Sequence, residues 1–345
     1  MMEKIAIIAE YNPFHKGHKH QIDEIKKKYP NAALIAIMSG NIVQRGEFAI
    51  IDKFARTKTA LDQGIDVVIE LPAYYSANGA NEFANGALQI INYFKIPTIC
   101  FGSESNNNQF LEEAANKIIA NLIELKKIVK KTNSYPKSIE QIIGKKLQAN
   151  DILGLCYLKE MKLSNYKINY FLIKRNNEQY QTASKIREAI IQGKNSQDNL
   201  TKIDYPIIMD DYSDLIIGKL VSTKTTNPTI KYLQNIITNN KIDKFNTLIN
   251  KAANNSLTQA TIRRQILRWI LEIDKTTYIV PRILGVTPKG HQILKEWKND
   301  QIKFNTKISK KYQNEINLAN FIEIKHQGIK AKELSSLIIK EKDEF

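Results

Sequence analysis

The sequence contains little cysteine and no long apolar run. Its 345 residues include two cysteines, Cys100 and Cys156, which lie far apart and have no C-x-x-C partner. This pattern predicts reduced, buried thiols and excludes a disulfide framework and a structural zinc site. No apolar run approaches the roughly 20 residues of a membrane span, and the first residues lead into a strand pattern without the apolar segment of a signal peptide. We therefore expect a cytoplasmic protein with no membrane partner.

Acidic residues are also scarce relative to basic ones. Lysine and arginine together number 51 against 35 aspartates and glutamates, which gives a net charge of +16. An excess of this size favours a polyanionic partner such as a nucleic acid. The chain is also rich in lysine, asparagine and isoleucine throughout, so the base composition of the gene could produce the same charge. Both explanations fit the composition.

Hydrophobic patterning divides the chain into two parts. The length and a hydrophobic fraction of 43% predict two globular domains. In the first part, short apolar runs alternate with amphipathic helical segments, which predicts an α/β fold with a Rossmann-like domain at 1–193. We expect a parallel sheet of five strands with helices on both faces. The predicted strands are 5–9, 32–38, 66–71, 98–101 and 168–173.

The alternation of strands and helices stops at about residue 193. The polar stretch 195–201 is typical of a linker or an exposed loop. Helical patterns then follow, so we predict a mainly α-helical, basic domain over 194–345. The predicted helices are 205–217, 230–239, 257–273 and 290–297.

The most informative stretch follows the first predicted strand. The turn at Asn12 and Pro13 is followed by His15-Lys-Gly-His18, which opens an amphipathic helix. A strand, a tight turn and a helix N-terminus form an anion site, because unpaired backbone N–H groups and the helix dipole point into it. Two imidazoles three residues apart lie on one helix face and can donate hydrogen bonds to phosphate oxygens that gain charge. The alternative is that one histidine caps the helix and the other is a surface residue.

A second stretch has the same physical character. Thr182-Ala-Ser-Lys-Ile-Arg187 follows the last predicted strand, and Ser184 is placed to cap the next helix. A hydroxyl cap together with Lys185 and Arg187 at a helix N-terminus predicts a second phosphate site.

Other polar loops also follow predicted strands. Ser39 to Glu47 contains two glycines, a glutamine and an arginine, and Lys53, Arg56 and Lys58 come soon after it. These cations could contact a phosphate or pair with Glu47 or Asp52, and the sequence leaves both readings open. Because the carboxyl ends of parallel strands meet at one edge, we expect these loops to share a rim with Gly102 to Glu104.

The motifs resemble those of a known superfamily. Asn-Pro-Phe-His-Lys-Gly-His18 is similar to the HxGH signature of nucleotidylyltransferases, and Thr182 to Arg187 resembles a variant of their late ISSTxIR motif. The chain more specifically resembles the tRNA(Met) cytidine acetate ligase family. The residues that carry this resemblance are 10–18, 38–47, 70–72, 101–104, 150–154, 173–175 and 281–285.

The resemblance implies an activity and its participants. ATP and acetate would form acetyl-adenylate, and the acetyl group would pass to N4 of the wobble cytidine of elongator tRNA(Met), with Mg²⁺ bridging phosphates and no DNA partner. His15, His18, Lys185 and Arg187 are the expected catalytic residues, and no side-chain metal site is expected. The expected nucleotide-binding residues are Ile7, Ile8, Ala9, Glu10, Tyr11, Asn12, Pro13, Phe14, His15, Lys16, Gly17, His18, Lys19, His20, Gly102, Asn150, Arg175 and Ser184.

The predicted RNA contacts lie on one helix of the second part. Arg263, Arg264 and Arg268 lie on the segment 257–273, beside an apolar stripe. Such a basic face could clamp a tRNA backbone, or it could be a solvated surface over a core.

Two further functions remain as alternatives. A small-molecule nucleotidylyltransferase, resembling enzymes that adenylylate phosphopantetheine or nicotinamide mononucleotide, would need little beyond the first domain. An RNA-binding protein with a regulatory nucleotide site is disfavoured, because both phosphate motifs retain charged and hydrogen-bonding residues.

Overall fold

A computed structural model gives the fold of residues 2–132, 134–175, 179–203, 206–254, 257–273 and 281–306. Tyr205, the predicted start of a helix, and the end of the predicted second domain, 307–345, lie outside these ranges. No helix in the described ranges is long and apolar enough to cross a membrane.

Strands and helices alternate through the first half, as the apolar pattern predicts. The chain forms, in order, β1 (Lys4–Ala9), α1 (Lys16–Lys28), β2 (Ala33–Ser39), β3 (Ile42–Val43), β4 (Glu47–Phe48), α2 (Lys53–Asp62), β5 (Val67–Leu71), α3 (Ala73–Ser76), α4 (Ala80–Tyr93), β6 (Thr98–Ser103), α5 (Asn108–Ala120), α6 (Leu122–Thr132), α7 (Tyr135–Ile143), α8 (Ala149–Leu163), β7 (Asn169–Lys174) and α9 (Ala183–Ile191).

The second half is mainly helical. A 3₁₀ turn (Met209–Tyr212) is followed by α10 (Ser213–Ser222), α11 (Pro228–Asn240), α12 (Phe245–Ala252), α13 (Gln259–Ile270), β8 (Ile283–Val286) and α14 (Pro288–Asn299). Helix α12, which was not predicted, packs with α10, α11 and α13 around a separate apolar core that includes Phe245, Leu248 and Ile266.

The main sheet has six strands, so the prediction of five is wrong. Its order is β7-β6-β1-β2-β5-β8, with five parallel strands and β8 antiparallel to β5. The extra strand, Ile283 to Val286, is only four residues long and lies about 210 residues after its partner in the chain. Its short pattern does not identify it as a strand, because only the pairing with β5 makes it one.

The sheet is covered by helices on both faces. Strand β2 is buried at all seven positions, and β1 is nearly so, which explains why both are continuous apolar runs. Both cysteines are buried and free in the structure, as predicted. After β5 the chain crosses to the other side of β1 to form β6. In this topology the crevice for a ligand lies at the carboxyl ends of β1 and β6.

Candidate active site

His15 begins helix α1 at the carboxyl end of β1. Its Nδ1 accepts a hydrogen bond from the backbone N–H of Gly17 at 3.1 Å. The backbone N–H of His15 in turn donates to Nδ1 of His18 at 3.3 Å. The two histidines therefore form a capping box at the helix N-terminus, a role that serine and glutamate usually fill. The reading of a histidine as a helix cap is correct for His15, and it is compatible with a place in the site.

The two imidazole rings are stacked, with centroids 3.8 Å apart. Burial, and then the nearby charge of Arg175, lowers the pKa of His15 to about 4, and burial lowers the pKa of His18 well below its usual value. Both rings are therefore neutral at pH 7. Because each Nδ1 accepts a backbone hydrogen bond, the remaining proton of each ring lies on Nε2. The site thus holds two fixed N–H donors that need no proton transfer.

Neighbouring residues of the motif hold these rings in place. The rings of Tyr11 and Phe14 lie 4.9 Å and 5.4 Å from that of His18. Asn12 Oδ1 accepts from the backbone N–H of Ile50 at 2.8 Å. Ile7 and Ala9 are buried in β1 and Ile8 is partly buried, so these three residues support the motif from within the sheet.

The stretch predicted as a linker crosses the motif. The backbone N–H of Leu200 donates to the Phe14 carbonyl at 3.0 Å, and the N–H of Lys16 donates to the Asp198 carbonyl at 2.9 Å. Lys16 Nζ also lies 3.4 Å from Asp198. Residues 198–201 therefore lie against His15 and its neighbours. Their polar composition does not predict this position.

Three of the predicted nucleotide-binding residues meet at the ends of β6 and β7. Arg175 donates from its NH1 to Asn150 Oδ1 at 3.1 Å. A Cβ at Gly102 would lie 3.1 Å from Arg175 Cγ, so the glycine leaves room for that side chain. Glu104 accepts from the Asn150 amide and from the Asp151 backbone. Asp151 accepts from Ser103 and Ser105, so it braces the loop after β6.

Helix α9 brings the second motif to the same rim. Thr182, and not Ser184, is the N-cap, because the helix begins at Ala183. Arg187 donates to the Asn12 carbonyl at 2.8 Å and to Ser184 Oγ at 3.2 Å. The side chain of Lys185 is exposed. The second motif thus meets the first through Arg187.

Comparison with known proteins identifies the protein family. The family model described as HIGH Nucleotidyl Transferase matches residues 2–344. A protein of Caldanaerobacter subterraneus named tRNA(Met) cytidine acetate ligase is 34% identical, over 86% of each chain. The chain belongs to the tRNA(Met) cytidine acetate ligase family. A Fusobacterium nucleatum protein of that name is 32% identical over 84% of each chain.

Two solved structures support the fold. The crystal structure of Thermotoga maritima TmcAL bound with alpha-thio ATP has a TM-score of 0.78 and 24% identity. The match covers 98% of the present chain and 95% of the Thermotoga chain. The apo form of the same protein has a TM-score of 0.79 and 23% identity, over 94% and 95% of the two chains. At this identity the comparison is evidence for the fold alone.

The basic residues after β4 have structural roles in this family member. Lys53 pairs with Glu70 at 2.8 Å, and both side chains are buried. Arg56 is buried too, and it donates to the carbonyls of Glu10, Ser39, Gly40 and Ile51. Burial lowers the pKa of Arg56 to about 10, so the guanidinium stays charged at neutral pH.

Lys58 is exposed and lies 3.4 Å from Asp62. The sequence suggested ion pairs with Glu47 or Asp52. Lys53 instead pairs with Glu70, and Lys58 pairs with Asp62.

The three arginines predicted to bind RNA make contacts within the chain. Arg263 pairs with Glu47 at 2.7 Å, and Arg264 donates to the Gln44 carbonyl at 3.0 Å. The guanidinium of Arg268 lies 4.8 Å from the centre of the Tyr74 ring. These contacts attach α13 to the rim.

The remaining predicted residues lie on the outer face of α1. Lys19 pairs with Asp23, and the His20 ring lies 5.7 Å from that of Tyr180. With Lys16, they line an open cavity of about 580 Å³ whose lining includes neither His15 nor His18. In the described part of the chain, no group of three or more His, Cys, Asp or Glu could hold a metal ion.

Proposed function

We propose that this chain activates acetate with ATP as acetyl-adenylate and transfers the acetyl group to N4 of the wobble cytidine of elongator tRNA(Met). Membership of a family whose relatives carry that name supports the overall reaction. The observation that carries the chemistry is the pair of neutral, stacked imidazoles whose Nε2–H groups are not used by the capping box. These donors stand beside a helix N-terminus, where negative charge is stabilised.

In the first step a carboxylate oxygen of acetate attacks the α-phosphorus of ATP. The bond from that phosphorus to the bridging oxygen breaks, and pyrophosphate leaves with the electron pair. Charge grows on the α-phosphate oxygens, to which His15 and His18 would donate. Arg187, Lys185 and Ser184 would hold the leaving pyrophosphate, and Gly102, Asn150 and Arg175 would contact the nucleotide. The other residues of the motif, 7–14 and 16–20, would shape the nucleotide site.

In the second step N4 of cytidine attacks the acetyl carbonyl carbon. The bond between that carbon and the adenylate oxygen breaks, AMP leaves, and one N4 proton is released. No side chain of the enzyme is covalently modified in either step.

Mg²⁺ would be held mainly by the phosphates of ATP. The described residues supply no cluster of three or more metal-ligating side chains, and Mg²⁺ often binds through substrate phosphates with few protein ligands. When bound, the ion would neutralise charge on the phosphates, and the imidazoles and arginines would position the phosphates of ATP.

We also propose a division of labour along the chain. Residues 1–193 would carry the ATP chemistry and residues 194–345 would contact the tRNA, with Arg263, Arg264 and Arg268 among the RNA-facing cations. Residues 283–299 also support the catalytic sheet through β8 and α14. The net charge of +16 suits a tRNA partner, and a tRNA substrate would place the enzyme in the cytoplasm.

A small-molecule nucleotidylyltransferase is the weaker alternative, because the family match extends to residue 344. ATP–pyrophosphate exchange by the purified protein separates the possibilities. Exchange that requires acetate supports the proposal. Exchange that ignores acetate supports another acceptor, and an absence of exchange supports a binding protein.

A further inference from the structure

Strands β3 and β4 form a small hairpin, residues 42–48, which we call the rim hairpin. On its inner side, the backbone N–H of Gln44 donates to Glu10 Oε1 at 2.7 Å. Glu10 is the last residue before the Tyr-Asn-Pro turn of the catalytic motif. The hairpin is therefore attached to the carboxyl end of β1, at the edge of the nucleotide site.

On its outer side the rim hairpin is attached to α13. Arg264 donates to the Gln44 carbonyl at 3.0 Å, and Arg263 pairs with Glu47 at 2.7 Å. Gly46 has a φ of +73°, and a Cβ there would lie 2.4 Å from the backbone nitrogen of Arg264. Only glycine allows both this left-handed conformation and this close approach without strain. The hairpin is thus held between the catalytic motif and the second half of the chain.

Arg45 lies at the tip of the rim hairpin. Its side chain is exposed and makes no hydrogen bond or ion pair with the described residues. Burial lowers the pKa of the Arg187 guanidinium, and the nearby positive charge of Arg45 lowers this pKa further. Two cations that repel each other at one rim are stabilised when an anion lies between them.

Two neighbours of Arg45 support the same reading. Gln44 Nε2 is buried and has no hydrogen-bond partner among the described residues, which is costly unless a ligand supplies an acceptor. Two carboxylates, those of Glu47 and Glu10, lie near enough to act on Arg187. Glu47 is engaged by Arg263, and Glu10 accepts from the backbone N–H of Gln44. The ion pair with Arg263 therefore offsets the negative charge of Glu47 beside Arg45 and Arg187.

We propose that the rim hairpin is a further oxyanion-binding element of the site. Arg45 binds an oxyanion of the reactants, either a phosphate of ATP or the carboxylate of acetate. Arg264 is a positioning residue that fixes the hairpin, and Arg263 is a positioning residue that withholds Glu47 from the anion. The identity of the reactants rests on the proposed function, whereas the presence of an anion site does not.

The test combines kinetics and binding on the full-length protein. ATP–pyrophosphate exchange gives KM for ATP and for acetate, and calorimetry gives the ATP dissociation constant, which needs no turnover. Arg45→Ala is expected to lower kcat/KM about 100-fold, in the range of a lost charged contact in a transition state. A raised KM or dissociation constant for ATP assigns Arg45 to a phosphate, and a raised KM for acetate alone assigns it to the carboxylate.

Arg264→Ala is expected to lower kcat/KM about 10-fold, and Arg45→Ala/Arg264→Ala to be no worse than Arg45→Ala alone. This non-additivity is expected only if Arg264 acts through Arg45. Lys58→Ala is the matched control, because Lys58 is an exposed cation that pairs with Asp62, and its variant should retain wild-type kinetics. Urea unfolding of each variant checks that the fold is intact.

Charge rescue tests the role of Arg263. Arg263→Ala should lower kcat/KM because it frees Glu47, and adding Glu47→Gln should restore most of the loss. Normal kinetics and ATP affinity for Arg45→Ala would overturn the proposal, as would multiplicative effects of Arg45→Ala and Arg264→Ala. If the wild type catalyses no exchange but Arg45→Ala weakens ATP binding, the proposed function fails and the anion site stands.

Discussion

At the scale of single residues, the site depends on two histidines that are kept neutral. Their Nδ1 atoms accept backbone hydrogen bonds in the capping box, and burial opposes protonation. A neutral imidazole with a fixed Nε2–H donor can stabilise developing charge without changing its own protonation state. The same arrangement makes the fold sensitive to acid.

The pH dependence of stability tests this account of His15. The unfolded chain has an ordinary histidine pKa near 6.5 and the native His15 has a pKa of about 4, so the unfolded state binds more protons between these values. Stability should therefore fall as the pH falls through this window. His15→Asn keeps a capping side chain but cannot titrate. Between pH 7 and pH 5, the wild type should lose about 2 kcal/mol more unfolding free energy than this variant in urea titrations. Parallel pH profiles for the two proteins would show that His15 is not held neutral by the fold.

Replacement of His18 tests its catalytic role. His18→Ala should lower ATP–pyrophosphate exchange by about 100-fold or more, because one of the two proposed donors to the α-phosphate is removed. Circular dichroism should show an intact fold. His291→Ala, which changes an exposed histidine on α14, should leave exchange unchanged. Near-normal exchange by His18→Ala would contradict the assignment.

At the scale of secondary-structure elements, the sequence predicts what local patterns determine. The five parallel strands lie within two residues of their predicted positions, because burial on both faces requires continuous apolar runs. The two motifs predicted to bind phosphate also meet, through Arg187 and Asn12. In both cases the deciding signal is contained in a few adjacent residues.

Elements defined by distant contacts could not be predicted. Strand β8 pairs with β5 across about 210 residues, and residues 198–201 cross the stretch from Phe14 to Lys16 through backbone hydrogen bonds. The roles of Arg263 and Arg264 likewise depend on a hairpin that lies about 220 residues earlier in the chain. Backbone hydrogen bonds and long-range ion pairs leave no periodic signal in the sequence.

The attachment of β8 and α14 to the sheet can be tested at Gly290. A Cβ there would lie 2.1 Å from the carbonyl oxygen of Asp66, so Gly290→Ala must move α14 away from β5. We expect a loss of about 2 kcal/mol or more in unfolding free energy. Gly218→Ala is the matched control, since its Cβ would meet no atom within 4 Å, and it should be neutral or slightly stabilising. Equal stability of the two variants in urea would show that α14 does not pack tightly on the sheet.

At the scale of the whole molecule, the two halves of the chain are joined at the rim. The first half supplies the five parallel strands, the imidazole pair and the predicted nucleotide-binding residues. The second half supplies β8 at the edge of the sheet and α13 against the rim hairpin. An enzyme that must hold an adenylate and a large RNA together benefits from such a connection, because binding on one side can influence geometry on the other.

The proposed reaction consumes ATP and transfers the acetyl group of acetate to tRNA. The most direct measurement follows radiolabelled acetate into total tRNA with purified protein, Mg²⁺ and ATP, and with ATP omitted as the control. Label should enter RNA only with ATP, AMP should form in equal amount, and the label should map to the wobble cytidine of elongator tRNA(Met). ATP cleavage to AMP with no label in RNA would contradict the proposed transfer to tRNA.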